Sequence, residues 1–284
     1  MLTDYHLHLR PDEGGSAFDR YFTPENVERY LAAAGECGIE ELGVSEHVYR
    51  FTAALELWRH PLWIENAVDD LDAYCEFVRS TPLRLGIECD YIPGAEERTA
   101  ALLGARDLDY VVGSVHFVGE GDAAVDHEGF DVWEGAADAD QVWRRYFEAF
   151  GECARSGLFD ILAHPDLVKV WGRARPLPEA ELRAFYEPAV EAIVEGGAAV
   201  ELSTAGLRKP VAELYPAPEF AALCAEAGVP FALSSDAHLP EQVGDGYDRA
   251  VELLESLGVG EICVFEGRRR RLAPLGAAAP APRG

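Results

Sequence analysis

The chain is poor in positive charge. Its 284 residues carry 24 Lys and Arg against 51 Asp and Glu, for a net charge of −27. A surface of that sign repels nucleic acid and anionic lipid at long range, which argues against both as partners. The short basic run Arg268 to Arg271 does not overturn this and reads as a solvated chain end. No apolar run reaches the roughly 18 residues that a membrane helix needs. The N-terminus has no basic stretch followed by an apolar one, so no secretion signal is expected. The six cysteines (Cys37, Cys75, Cys89, Cys153, Cys224 and Cys263) are scattered and form no CxxC pair, so their spacing gives no zinc site. Cys37, Cys75, Cys153 and Cys224 lie in apparent helices, as buried free thiols do, which points to a reducing, cytoplasmic setting.

Apolar residues are plentiful. At 49% of the chain they can bury a sizeable core. Strands are predicted at 2–9, 40–45, 83–87, 110–115, 159–163, 198–202, 230–234 and 261–265. Between them, helical spacing begins at Thr23-Pro24-Glu25 and recurs around 68–78, 95–103, 142–153, 178–196, 218–227 and 247–257, with Pro188 expected to kink its helix. Residues 51–65 and 119–138 read as longer loops, the first an aromatic excursion over the mouth of the domain. Alternating strands and helices argue an α/β fold with a parallel sheet, and seven or eight units argue a closed or nearly closed barrel. No linker or repeat interrupts residues 1–272, which read as one domain; residues 273–284, rich in Ala and Pro, are expected to be a disordered tail.

Six of the eight histidines fall at predicted strand ends: His6, His8, His47, His116, His164 and His238. Glu88 and Asp236 end strands too. In a parallel barrel those ends meet on one face. His6 and His8, two apart on a strand, point to the same side. Imidazoles and carboxylates together suit Zn, Fe or Mn. At about four protein ligands per ion the set suits two or three sites, with Glu88 the natural bridge. Asp90 and Glu201 are strand-end acids of lower rank, each able to cap a helix or pair with an arginine. Asp166 reads as orienting an imidazole or capping a turn. His60 reads as a surface or lid residue, and His127 has no assigned role. Arg208 and Lys209, in a glycine-containing loop after the sixth strand, suit a phosphate group, with Arg10 a weaker second candidate.

Taken in order, Asp4-Tyr5-His6-Leu7-His8, Gly43-Val44-Ser45-Glu46-His47, Gly86-Ile87-Glu88, Gly113-Ser114-Val115-His116, Ala163-His164-Pro165-Asp166 and Ser235-Asp236-Ala237-His238 resemble the successive motifs of the polymerase-and-histidinol-phosphatase (PHP) superfamily. The loop Glu201 to Lys209 is similar to one in its histidinol-phosphatase branch. The resemblance implies a distorted (β/α)7 barrel with a di- or trinuclear centre. It assigns His6, His8, Glu88 and Asp236 to one metal, and Glu88, His116 and His164 to a second. His47 and His238 would serve a third. That third site normally takes another histidine, where this chain has Gly14; either Asp12 or Glu13 substitutes, or the third ion is weakly held or absent. An amidohydrolase-type barrel also opens with HxH but needs a strand-end lysine, and no strand here reads as ending on one.

The expected activity is metal-dependent hydrolysis of a small phosphomonoester by a water activated at the centre. Arg208 and Lys209 would neutralise the phosphoryl oxygens, and Asp236 or His238 would protonate the leaving oxygen. The resemblance makes L-histidinol phosphate the leading substrate, placing the chain in histidine biosynthesis. Its cationic end suits an acidic mouth. The alternatives are a PHP phosphoesterase of different specificity and a non-catalytic, metal-stabilised scaffold. Oligomeric state cannot be read from the sequence.

Overall fold

The computed structural model describes residues 1–118 and 123–277. Its first strands, β1 (Thr3–Asp4), β2 (Glu41–Val44) and β3 (Arg84–Leu85), pair in parallel in that order. A second parallel sheet runs β4 (Glu88–Asp90), β5 (Val112–Ser114), β6 (Ile161–Leu162), β7 (Ala199–Ser203) and β8 (Phe231–Ser234). The strand predicted at 83–87 is paired only at β3; after Gly86-Ile87 the pairing resumes beyond its expected end, in β4. A bridge between His47 and Glu88 joins the two sheets there. On the far side Tyr5 N–H donates to Leu233 O at 3.4 Å, and Leu7 bridges Ala237, so β8 returns to β1. The ring that results is a distorted (β/α)7 barrel.

Helices α1 (Pro24–Glu36), α2 (Pro61–Asn66), α3 (Leu71–Arg79), α4 (Glu96–Gly104), α5 (Ala139–Arg155), α6 (Arg183–Gly196), α7 (Pro218–Glu226) and α8 (Tyr247–Ser256) lie between and after the strands. α1 starts as its sequence demands: Thr23 accepts the Asn26 N–H and Pro24 opens the first turn. Two helices start later than predicted. Asp70 caps the Asp72 and Ala73 amides, which leaves Val68 outside α3 and exposed. The amides of Glu179 and Ala180 donate instead to Asp140, which keeps residues 178–182 out of α6. Pro188 lies inside α6.

The hairpin of β9 (Glu261–Glu266) and β10 (Arg269–Pro274) corrects two expectations. Arg268 to Arg271 are solvated, but they form part of the hairpin and do not end the chain: Arg268 pairs with Asp160 and Arg270 donates to Gly197 O. The ordered chain also passes residue 272, since Ala273 is buried and Gly276 N–H donates to Met1 O. Residues 278–284 lie outside the described residues. The hairpin supplies Cys263, Val264, Phe265 and Ala273 to a cluster with Tyr5, Tyr110, Val112, Ile161, Ala199 and Ala232. Tyr110 fills the barrel here. A Cβ at Gly43 or Gly86 would collide with its ring, so both strands need glycine at that level. This plug closes the end of the barrel away from the histidines. All six cysteines are free thiols.

Candidate metal centre

At the C-terminal strand ends the chain gathers its histidines around one carboxylate. Glu88 Oε2 lies 3.2 Å from His6 Nε2, 3.5 Å from His8 Nε2 and 2.5 Å from His47 Nδ1. Its Oε1 lies 3.4 Å from His164 Nε2 and 3.6 Å from His116 Nε2. Asp236 Oδ1 completes one side, 3.7 Å from His6 Nε2 and 3.5 Å from His8 Nε2. Three groups of ligand atoms converge closely enough for an ion: His6, His8 and Asp236; Glu88, His116 and His164; and His8, His47 and His238. The predicted ligand residues are therefore all brought together.

The centre fits metal by the state of its donors. Among the described residues, His6 Nε2, both ring nitrogens of His8, His47 Nδ1, His238 Nε2 and Glu88 Oε2 are buried without a hydrogen bond. A protein does not keep so many polar atoms dry and unpaired unless something binds them. The opposite edges of two rings are fixed. His6 Nδ1 lies 2.7 Å from Glu201 Oε1, and His116 Nδ1 lies 2.7 Å from Asp90 Oδ1. These carboxylates turn each Nε2 to the centre. Asp90 and Glu201, expected to cap helices or meet arginines, hold ligands instead. Glu46 does similar work, accepting the Leu9 N–H at 2.7 Å and lying 3.7 Å from His8 Nδ1.

Burial opposes charge on His6, His8, His47 and His116. At His8 the carboxylates of Asp236, Glu46 and Glu88 overcome it and push the pKa up to about 9. At His116 Asp90 and Asp126 push it up to about 10. At His47 burial wins over Glu88, and the pKa falls to about 3. Glu88, despite its own burial, is held well below the usual carboxylate range by His47 and His6.

Two of the predicted ligand residues have strained backbones. His164 has φ 25° and Asp236 φ 50°, in the left-handed region that non-glycine residues avoid. Each is pinned. Glu201 Oε2 accepts the His164 N–H at 2.6 Å. Arg208 Nη2 donates to Ser235 O at 2.6 Å and to Asp236 O at 3.3 Å. Arg208, predicted to face phosphate, is thus turned onto the backbone that carries Asp236. Its neighbour Lys209 lines the cavity.

That cavity, of about 220 Å³, lies above Glu88, His116, His164, Asp236 and His238. A second of about 310 Å³ adjoins it, walled by Tyr49, Leu62, Asn66, Phe117 and His127. Asp12, His47, His116, Asp126 and Lys209 line both. Neither Asp126, read only as part of a solvated loop, nor the second chamber is singled out by any sequence pattern. The excursion at 51–65 does wall the mouth through Leu62, but its Trp63 is fully buried, so it is a packed wall. His60 is no surface residue: it is buried, and its Nδ1 accepts the Leu62 N–H to cap α2. Arg10 is likewise buried, 3.4 Å from Asp69. Asp166 meets no imidazole, pairing with Lys169 at 2.9 Å and accepting the Ala217 N–H. Of the two acids near Gly14, Asp12 reaches the centre, 3.2 Å from His238 Nε2 and held by Arg50 at 2.6 Å. Glu13 faces outward to Arg20.

Residues 20–205, more than half of the chain, match the PHP domain family. The chain belongs to that family. A protein of Deinococcus radiodurans named "Probable histidinol-phosphatase" is 35% identical over 258 residues, covering 86% of this chain and 91% of its own. One of Schizosaccharomyces pombe with the same name is 28% identical over 197 residues, 64% of this chain and 62% of its own. Among solved structures, the histidinol phosphate phosphatase of Lactococcus lactis, crystallised with zinc, L-histidinol and phosphate, superposes with a TM-score of 0.73 at 19% identity, over 95% of this chain and 98% of that one. That likeness agrees with the barrel. No helix among the described residues is long and apolar enough to cross a membrane.

Proposed function

We propose that this PHP-family chain is a metal-dependent phosphomonoesterase that hydrolyses L-histidinol phosphate to L-histidinol and phosphate. The observation that carries the reaction class is Glu88, whose two oxygens lie within 3.6 Å of nitrogens from five imidazoles. Such a carboxylate is built to be shared between cations. The substrate is supported by the Deinococcus relative, whose similarity spans 91% of its length.

His6, His8, Glu88 and Asp236 would hold one cation; Glu88, His116 and His164 a second. His47 and His238 would serve a third, with Asp12 taking the place that Gly14 leaves empty. Zn, Fe and Mn all accept such donors. Divalent ions bound there would supply Lewis acidity toward the phosphoryl oxygens and an acidified water.

The protein's own groups do the rest. Lys209, on the cavity wall, would meet the phosphoryl oxygens with its ammonium. Arg208 acts as a positioning residue, holding the strained backbone of Asp236. Asp236 or His238, both on the cavity wall, would take the proton lost by the attacking water and pass it to the leaving oxygen.

The test is phosphate release from L-histidinol phosphate and, in parallel, p-nitrophenyl phosphate, on protein reconstituted with Mn, Zn or Fe and counted for metal. Fast, selective release from histidinol phosphate is expected. Activity only on the generic ester would keep the reaction and discard the substrate. A His116→Ala variant that binds full metal and retains the wild-type rate would overturn the centre's role.

A further inference from the structure

The carboxylates around the centre are nearly all engaged. Glu88 and Asp236 face the imidazoles, Glu201 and Asp90 orient them, and Asp12 is tied to Arg50. Asp126 differs. It is exposed, lines both the metal cavity and the adjoining chamber, and has no hydrogen bond or ion pair among the described residues. It shares the wall of the metal cavity with Glu88, His116, His164 and Tyr215, at the reacting end. Lys209 shares both cavities with it. Among the described residues, one cavity therefore presents a cation and an anion that are both unpaired.

We infer that Asp126 is the specificity residue that receives a substrate ammonium group close to the ester. The inference rests on the proposed phosphomonoesterase reading of the same site. A phosphate ester with an amine on the second carbon from the ester oxygen matches the pair: phosphate toward Lys209 and the cations, ammonium toward Asp126. L-Histidinol phosphate has that arrangement. Its imidazole then extends into the chamber walled by Leu62 and Phe117. A sugar phosphate offers Asp126 only neutral hydroxyls, and an acidic ester would be repelled by it. A charged hydrogen bond of this kind discriminates by about tenfold to a hundredfold.

The experiment compares L-histidinol phosphate with its des-amino analogue, 3-(imidazol-4-yl)propyl phosphate, on the metal-loaded wild type and on Asp126→Asn. Wild type should prefer the amine in kcat/KM. In Asp126→Asn, kcat/KM for the amine ester should fall at least tenfold further than for the des-amino ester, with the change mainly in KM. Metal content and melting temperature, measured alongside, report whether the variant is folded and loaded. Equal losses on the two esters, or no loss, would overturn the assignment. If wild type ignores histidinol phosphate yet cleaves p-nitrophenyl phosphate, the proposed substrate fails by itself. Asp126 is then judged on O-phosphoethanolamine against propyl phosphate. A wild-type preference for the amine that Asp126→Asn abolishes supports the assignment; no preference, or one that survives, ends it.

Discussion

Glu201 grips His6: its Oε1 lies 2.7 Å from His6 Nδ1, while its Oε2 accepts the backbone N–H of His164 at 2.6 Å. One buried carboxylate therefore orients a candidate ligand of the first cluster and fixes the strained backbone of a candidate ligand in the second. Replacing it with glutamine keeps the shape and removes the charge. Glu201→Gln should lower metal affinity or turnover by about 10–100-fold, the usual effect of losing a carboxylate behind a ligating histidine. Titrating activity against added metal checks this. Wild-type affinity in the variant would mean that His6 is oriented by other contacts.

Lys209 and Arg208 are neighbours with separable roles. Lys209→Met should reduce kcat/KM for phosphate esters by about tenfold to a hundredfold through the lost charged contact, with metal content unchanged. Arg208→Met should do something different. It frees the Ser235 and Asp236 carbonyls, so the left-handed turn at Asp236 loses its brace. Its signature is lower metal content and a lower melting temperature, partly restored by Arg208→Lys. Metal analysis beside steady-state kinetics separates the two. Identical profiles for the variants would refute the division.

Much of the centre was legible because its ligands follow one rule: each sits at the end of a different strand. His6 and His8 show how far the rule reaches. Regular pairing in β1 ends at Asp4, so both lie on irregular backbone held by β8, yet they still converge. What stayed hidden depends on direction or on distant partners. Glu201 and His6 are separated by 195 positions, and nothing local to either tells that they touch. Arg208 stands at the predicted place but turns to the backbone, which no spacing reveals. His60 could have been found: Pro61 directly after it marks a helix start, with His60 as the cap. The predicted tail failed at residue 273 because composition hides the pairing that β9 imposes on β10.

The plug at the closed end of the barrel predicts a stability effect far from the chemistry. Tyr110 occupies the space that a side chain at Gly43 would need. Gly43→Ala should destabilise the fold by about 1–3 kcal/mol through overpacking. Tyr110→Leu alone opens a cavity and should also destabilise. Combined with Gly43→Ala it should cost less than the sum, because the smaller side chain makes room for the new methyl. Denaturant melts of the three variants give the coupling directly. Strict additivity would show that Tyr110 does not set the requirement for glycine.

Acid should compete with metal at this centre, and the direction follows from the imidazoles. Burial alone would lower both, but their carboxylate neighbours push His8 up to about 9 and His116 up to about 10. In the metal-free chain both are therefore protonated at neutral pH, against an ordinary value of about 6.5 in the unfolded chain. That contribution to folding is fully present below about pH 6.5 and is lost as pH rises through 9 to 10. An incoming cation must displace the same protons. Metal affinity should then climb with pH, by about tenfold per unit for each proton displaced, and level off above about pH 10. The melting-temperature gain on loading Mn²⁺ should accordingly widen between pH 6 and pH 9, with protons released on binding in a weakly buffered titration. EDTA should abolish turnover, while the plugged apolar core keeps the stripped chain folded. A gain independent of pH, with no proton release, would mean that burial outweighs the carboxylates and keeps these rings neutral and ready for metal.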